Sequence, residues 1–143
     1  MPLLLKGELK TIINVSSVGA HLVFPGLSDY QTAKLALLRF TEFTAAEHAR
    51  DEVIAIAIHP GNVPTDIFGG PENIDAMPES LKVAIVDTAE LCGDSVVYMT
   101  KERHEWLSGR YVNVTWDMPE LLSDVKQKMI VDGDMLKVRL VVP

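Results

Sequence analysis

Val53-Ile-Ala-Ile-Ala-Ile58 is apolar at every position, and the run stops at His59-Pro60-Gly61. A strand with one wet face alternates in polarity. An unbroken apolar run is the pattern of a strand covered on both faces, as in a parallel sheet. Proline and glycine then punctuate the chain and end it. Upstream, Thr11-Ile-Ile-Asn-Val-Ser16 is β-branched, ends in small polar residues and reads as a buried strand. Downstream, Gly109-Arg-Tyr-Val-Asn-Val114 reads as a third strand.

Helical stretches lie between these runs. With Asp29 as N-cap, one helix extends to about Ala49. Its apolar residues Leu35, Leu38, Ala45 and Ala46 form a stripe that Leu37, Phe40 and Phe43 widen, which predicts more than one packing surface. A second helical region runs from roughly Glu79 to Thr100, broken near Asp87, with Gly93 inside it to allow close packing. Residues 17–28 read as a loop. Residues 62–78 hold three prolines and two adjacent glycines, and read as a long, mobile segment. The tail carries one further helix, about Pro119 to Ile130, and a mixed stretch from Met135 to Val142. Strand, helix, strand, helix, strand with connections this long implies right-handed crossovers and a parallel sheet. A single α/β domain over residues 1–143 is expected, with 115–143 as a tail of unassigned packing.

Composition bounds the function. The chain has 143 residues, 13 Lys+Arg against 20 Asp+Glu, a net charge of −7 and 48% hydrophobic residues. That is a globular balance, and one core can bury roughly 70% of the unfolded surface at this size. An acidic chain argues against a nucleic-acid partner, which normally meets a basic face. No apolar run approaches the ~18–20 residues of a membrane span. Met1-Pro-Leu-Leu-Leu-Lys6 is too short for a secretion signal. With one cysteine, Cys92, an internal disulfide is impossible, and a cytoplasmic location is expected. His21, His48, His59 and His104 are scattered without metal-site spacing, so no metal is expected.

Ligands of open α/β sheets bind at the carboxyl ends of the strands. Two strand ends are marked here, by Ser16-Ser17 and by His59-Pro60-Gly61-Asn62-Val63-Pro64-Thr65. The helix after the first loop opens with Tyr30-Gln-Thr-Ala-Lys34, and a spacing of four sets Tyr30 and Lys34 one turn apart on one face. An ammonium near a phenol stabilises the phenolate, so the tyrosine can exchange a proton with a substrate oxygen near neutral pH. Ser17 could hydrogen-bond the same oxygen. Taken singly, such a pair is more often solvated or packed, a strand-end serine more often serves the loop backbone, and Pro-Gly is usually a turn. The argument rests on all three occurring in order within one α/β unit.

These stretches, Ile13-Asn-Val-Ser-Ser17-Val-Gly-Ala, Tyr30-Gln-Thr-Ala-Lys34 and Pro60-Gly-Asn-Val-Pro-Thr65, resemble the short-chain dehydrogenase/reductases over about residues 1–114. The interval from Ser17 to Tyr30 is the family's usual one. Leu107-Ser-Gly-Arg-Tyr-Val112 and Trp116-Asp117 look like the tail of fungal members. The resemblance implies a partial Rossmann-like, doubly wound parallel sheet of about three strands flanked by helices. It implies Tyr30 as general acid/base, Ser17 orienting the substrate oxygen, and Lys34 tuning the tyrosine and binding a nicotinamide ribose. Pro60, Gly61, Val63 and Thr65 would line the nicotinamide of NADP or NAD, and residues 66–85 would form the substrate loop. The substrate would be a small carbonyl or alcohol, apolar to judge by Ile67, Phe68, Ile74 and Met77.

The family's glycine-rich cradle for the pyrophosphate is not in this sequence. Glycines stand at 7, 19, 26, 61, 69, 70, 93, 109 and 133, and no two are two positions apart. The chain therefore corresponds to the family's C-terminal, catalytic half, and dinucleotide binding by it alone is doubtful. The residue that chooses NAD over NADP and the catalytic asparagine are absent too; Asn14 lies in a strand and does not replace it. Thr11–Ser16 would present an open apolar edge. A homo-oligomer, or a partner chain covering that edge, is expected. Two other functions stay open: a cofactor-independent isomerase, dehydratase or cyclase using Ser17, Tyr30 and Lys34, and a non-catalytic remnant. Bland readings are preferred elsewhere. His59 is read as a hydrogen-bonded structural histidine, Cys92 as an inert core thiol, and Trp106 and Trp116 as packing residues. Asn14 and Asn113 match the glycosylation pattern by chance, and Asp66 caps a short helix.

Overall fold

The structure is a computed structural model and describes residues 1–69, 71–140 and 142. Three strands form one parallel sheet in the order β1 (Thr11–Val15), β2 (Ile54–His59), β3 (Arg110–Asn113). Thr11 pairs with Ile54 and Val15 with Ile58; on the other side Ile56 pairs with Arg110 and His59 with Asn113. The all-apolar run is the central strand, and every residue of β2 is buried. Side chains alternate across a strand. Ile54, Ile56 and Ile58 enter one core with Met99, Leu107, Val112, Val114, Met118, Leu121 and Ile130. Ala57 points the other way, into a smaller cluster with Ala20, Leu38 and Tyr111. Large side chains fill one face, each worth roughly 1.5–3 kcal/mol when buried. Small ones on the other face let helix α1 (Ser28–Glu47) lie close to the sheet.

The remaining elements are α2 (Pro71–Ala76), α3 (Glu79–Lys82), α4 (Ala89–Met99), α5 (Met118–Leu121) and α6 (Asp124–Asp132). Several expected boundaries are corrected. The N-cap of α1 is Leu27, whose side chain makes no capping bond, and Asp29 sits in the first turn, where its charge faces the positive end of the helix dipole. The break expected near Asp87 is present: the region 79–100 is two helices, and the Thr88 side chain accepts from the Leu91 amide to start α4 afresh. Pro71 opens α2 within the segment expected to be loop; proline suits a first turn, where its missing N–H costs nothing. The tail helix is also two, with Asp117 capping α5 and Ser123 capping α6. Gly93 does not serve close packing: a Cβ there would meet nothing within 4 Å.

Beyond α6, residues 135–140 form no regular element but strap the edge of β3 to α1; Val141, within the mixed stretch expected from Met135 to Val142, lies outside the described residues. The Tyr111 amide donates to the Leu136 carbonyl at 2.8 Å, and the Val138 amide donates to Glu42 Oε1 at 2.9 Å. Among the described residues no helix is long and apolar enough to cross a membrane. Among them, too, no group of three or more His, Cys, Asp or Glu could hold a metal ion. Trp106 packs on the larger core and Trp116 stands edge-on to Tyr111 with ring centroids 6.1 Å apart, as packing residues do. Half-buried Cys92 packs on the same core, and burial pushes its thiol pKa up.

Candidate active site

Because β1 and β2 pair in register up to Val15 and Ile58, the segments after them emerge side by side at the carboxyl end of the sheet. Ser16 extends the ladder by one bond, its amide donating to Ile58 O at 2.7 Å, and its hydroxyl donates to the Lys34 carbonyl at 2.9 Å. That second bond pins α1 to the end of β1. Ser17 is buried and caps the 3-10 turn Val18–His21, its Oγ accepting from the Gly19 amide at 3.0 Å.

Helix α1 carries Tyr30 and Lys34. The ammonium of Lys34 lies 5.7 Å from the Tyr30 ring centroid and donates to the Val15 carbonyl at 2.9 Å. Gly19 locates the serine relative to this pair. A Cβ on Gly19 would stand 3.2 Å from Ser17 Oγ, 3.4 Å from Tyr30 Cε1 and 3.8 Å from Gln31 Cγ. The hydroxyl and the phenol ring thus border one spot, and a glycine between them leaves it free. Ser17 and Lys34 thus both lie close to the Tyr30 ring.

Of the four loop residues singled out after β2, Gly61 is buried, Pro60 and Val63 are half-buried, and Thr65 is exposed. Gly61 has φ +88°, a left-handed conformation that favours glycine. Thr65, not Asp66, is the N-cap of the 3-10 turn Asp66–Phe68, and it makes no side-chain capping bond, so the expected cap by Asp66 is corrected.

His59 departs from its expected role. It is buried, but Nδ1 has no hydrogen-bond partner. Burial holds its pKa below the ordinary value; Asp87 pulls it up and His21 pushes it down. His21 stacks edge-on against Tyr111 with centroids 4.6 Å apart, and burial lowers its pKa as well. The buried Tyr111 hydroxyl also lacks a partner, and burial pushes its pKa up to about 12. Asn14 donates to Thr41 Oγ1 from within β1 at 2.9 Å, a packing role.

Sequence reasoning missed two residues of the site. Gln31, next to Tyr30, is buried and its Oε1 accepts from the Phe24 amide at 2.9 Å, fastening the 22–27 loop to α1. Asp87 reaches the 60–65 loop. Adjacency to Tyr30 hints at the first; nothing in the sequence points to the second, which is 26 positions from Gly61. A cavity of about 580 Å³ opens at the amino ends of β2 and β3 between Glu42, Val53, Arg103, Gly109 and Lys137, away from this chemistry.

A family model described as short chain dehydrogenase matches residues 1–73. The chain belongs to the short-chain dehydrogenase/reductase family. It is 50% identical over 141 residues to the short chain dehydrogenase pigC of Monascus ruber, covering 99% of this chain and 45% of that protein. It is 56% identical over 126 residues to tazN of Aspergillus terreus, covering 86% of this chain and 27% of that protein. The chain thus spans under half the length of these curated relatives. Among solved structures, the angucycline C-6 ketoreductase LanV with bound NADP aligns with TM-score 0.60 at 21% identity, over 73% of this chain and 41% of that one. The carbonyl reductase Sniffer of D. melanogaster aligns with TM-score 0.54 at 26% identity, over 73% of this chain and 38% of that one. These likenesses bear out the Rossmann-like reading of the sheet.

The donor set of this short-chain dehydrogenase/reductase fits one part of a nicotinamide dinucleotide. An ammonium has three N–H donors, and Lys34 gives one to Val15 O, leaving two for ribose hydroxyls. In the 60–65 loop, Pro60 and Pro64 have no N–H and the Asn62 amide is taken by Asp87, so the amides that could face a nicotinamide are those of Gly61, Val63 and Thr65. No two glycines stand two positions apart, so the glycine-rich turn that cradles a pyrophosphate is not among these residues.

Proposed function

We propose that this chain carries the catalytic half-site of an NAD(P)(H)-dependent carbonyl/alcohol oxidoreductase. The approach of Ser17 and Tyr30 to the space left by Gly19, with the Lys34 ammonium beside the Tyr30 ring, carries this reading. When bound, the nicotinamide supplies or accepts hydride. Every other task falls to the chain's own residues. Tyr30 gives its hydroxyl proton to a carbonyl oxygen in reduction, or takes it from an alcohol in oxidation. Ser17 hydrogen-bonds that oxygen and fixes its orientation. Lys34 sets a positive charge beside the phenol and would hold the ribose, while Pro60, Gly61, Val63 and Thr65 would line the nicotinamide.

The substrate is a small, apolar carbonyl or alcohol. Exposed Val23, Phe24 and Leu27 on the loop after Ser17, and exposed Ile67 on the segment after Thr65, support that choice. The lone Cys92 supports a cytoplasmic setting.

Fluorescence titration with NADPH, NADH and reduced nicotinamide mononucleotide tests the reading. The mononucleotide needs no pyrophosphate cradle, so it binds if the ribose and nicotinamide contacts are as assigned. Tyr30→Phe should lower turnover by about 10²–10⁴-fold, the range of a lost general acid. Absence of binding by all three nucleotides refutes the redox assignment. A second reading draws on the same side chains: proton transfer by Tyr30 and Ser17 without a nucleotide, as in an isomerase, dehydratase or cyclase. Turnover that needs Tyr30 and no nucleotide would favour it. No turnover under any condition would leave an idle remnant.

A further inference from the structure

The loop after β2 has a sharp backbone turn and is held by a residue far along the chain. Asp87 Oδ2 accepts from the Asn62 amide at 2.7 Å, and the Asp87 amide donates to the Asn62 carbonyl at 3.3 Å. The fit is close: a Cβ on Gly61 would stand 3.0 Å from both Asp87 Cβ and Oδ2. Gly61 is thus required twice, by its φ of +88° and by the carboxylate against it. The short distance is that of a charge-assisted bond, about twice as strong as a neutral one. This clasp joins the two ends of the segment 63–86, which carries exposed Ile67, Val83 and Val86. The two bonds hold successive peptide units: the Asn62 amide belongs to the Gly61–Asn62 peptide, and the Asn62 carbonyl lies in the same planar unit as the Val63 amide.

We infer that Asp87 is a positioning residue: it clasps Asn62, closes the base of the 63–86 segment and sets where the Val63 amide stands for an incoming ligand. The ligand side of this inference rests on the proposed nicotinamide reading; the clasp itself does not.

The test compares the full chain with Asp87→Ala and Asp87→Asn. Amide exchange by NMR reads the clasp, and a fluorescence titration with reduced nicotinamide mononucleotide reads the ligand. In Asp87→Ala the Asn62 amide should exchange at least about 10-fold faster, the effect of losing a bond to a charged group. The amides of Ile56 and Ile58 in the middle of the sheet should stay protected. Asp87→Asn keeps an acceptor oxygen without the charge, so both readouts should fall between parent and alanine variant. Should the alanine variant fail to fold, this graded response of the asparagine variant carries the test. The mononucleotide Kd should rise at least 5-fold in the alanine variant, in step with the Asn62 exchange. Unchanged exchange at Asn62 in the folded variants overturns the clasp. Faster exchange with an unchanged Kd overturns the positioning role. No binding by the parent chain refutes the nicotinamide reading and with it the ligand side of the inference, while the exchange data still decide the clasp.

Discussion

The buried Tyr111 hydroxyl has no partner, which is costly for a polar group shut away from water. Its phenol is held neutral, with the pKa pushed up to about 12 from 10.0 by burial. Below pH 10 both folded and unfolded chains carry the protonated phenol, and the group adds no pH dependence. Above pH 10 the unfolded chain ionises first, so stability falls between about pH 10 and 12. A shift of this size corresponds to roughly 3 kcal/mol. Denaturant melts at pH 9 and pH 11.5 should show that loss, and Tyr111→Phe should abolish it while leaving stability at neutral pH equal or slightly higher. At this scale the sequence was legible where chemistry depends on spacing. Tyr30 and Lys34 meet because four residues make one helical turn. It was not legible for Asp87 or for the empty side of His59, since those depend on contacts that only the folded chain creates.

Elements were legible where the apolar pattern has one meaning, as in the central strand. Their ends were not, because caps compete. Leu27 precedes α1 although Asp29 is the better capping residue, since the loop backbone already meets the first turn through the Gln31 amide and the Leu27 carbonyl. Gly93 shows how a single residue type misleads. Glycine inside a helix suggests close approach, yet its would-be Cβ faces open space and its φ is not left-handed. Gly93→Ala should therefore stabilise the protein by about 0.5–1 kcal/mol through the unfolded chain's lost freedom. A rise in Tm by calorimetry checks this. A fall would mean that an unseen surface covers α4.

On the scale of the molecule, β1 ends the sheet, and Val15 at its last position is half exposed. On α1, Phe40 and Phe43 stand more than half exposed, at 60% and 56%. The wide apolar stripe read from the sequence is thus real, but only one side of it is covered by the sheet. An unpaired strand edge beside exposed phenylalanines favours association. Light scattering at micromolar concentration should give a mass above the 15.8 kDa of one chain. A stable monomer at that concentration would show that the edge is protected by its own side chains. The fold itself was readable because period and punctuation are local; association and ligand reach are not local, and they rest on surfaces the sequence lists without arranging.

Parallel pairing turns the even residues of β1 toward β2, as the bonds from Ile54 to Lys10 O and from Ser16 to Ile58 O show, so the carbonyl of Val15 points to the outer rim. Lys34 already occupies that carbonyl. Any strand added along this rim as far as Val15 would share that acceptor with the lysine or displace it. Displacing it would shift a positive charge at the phenol one turn away. A strand that displaced the ammonium would couple self-association to the proton transfer proposed for Tyr30.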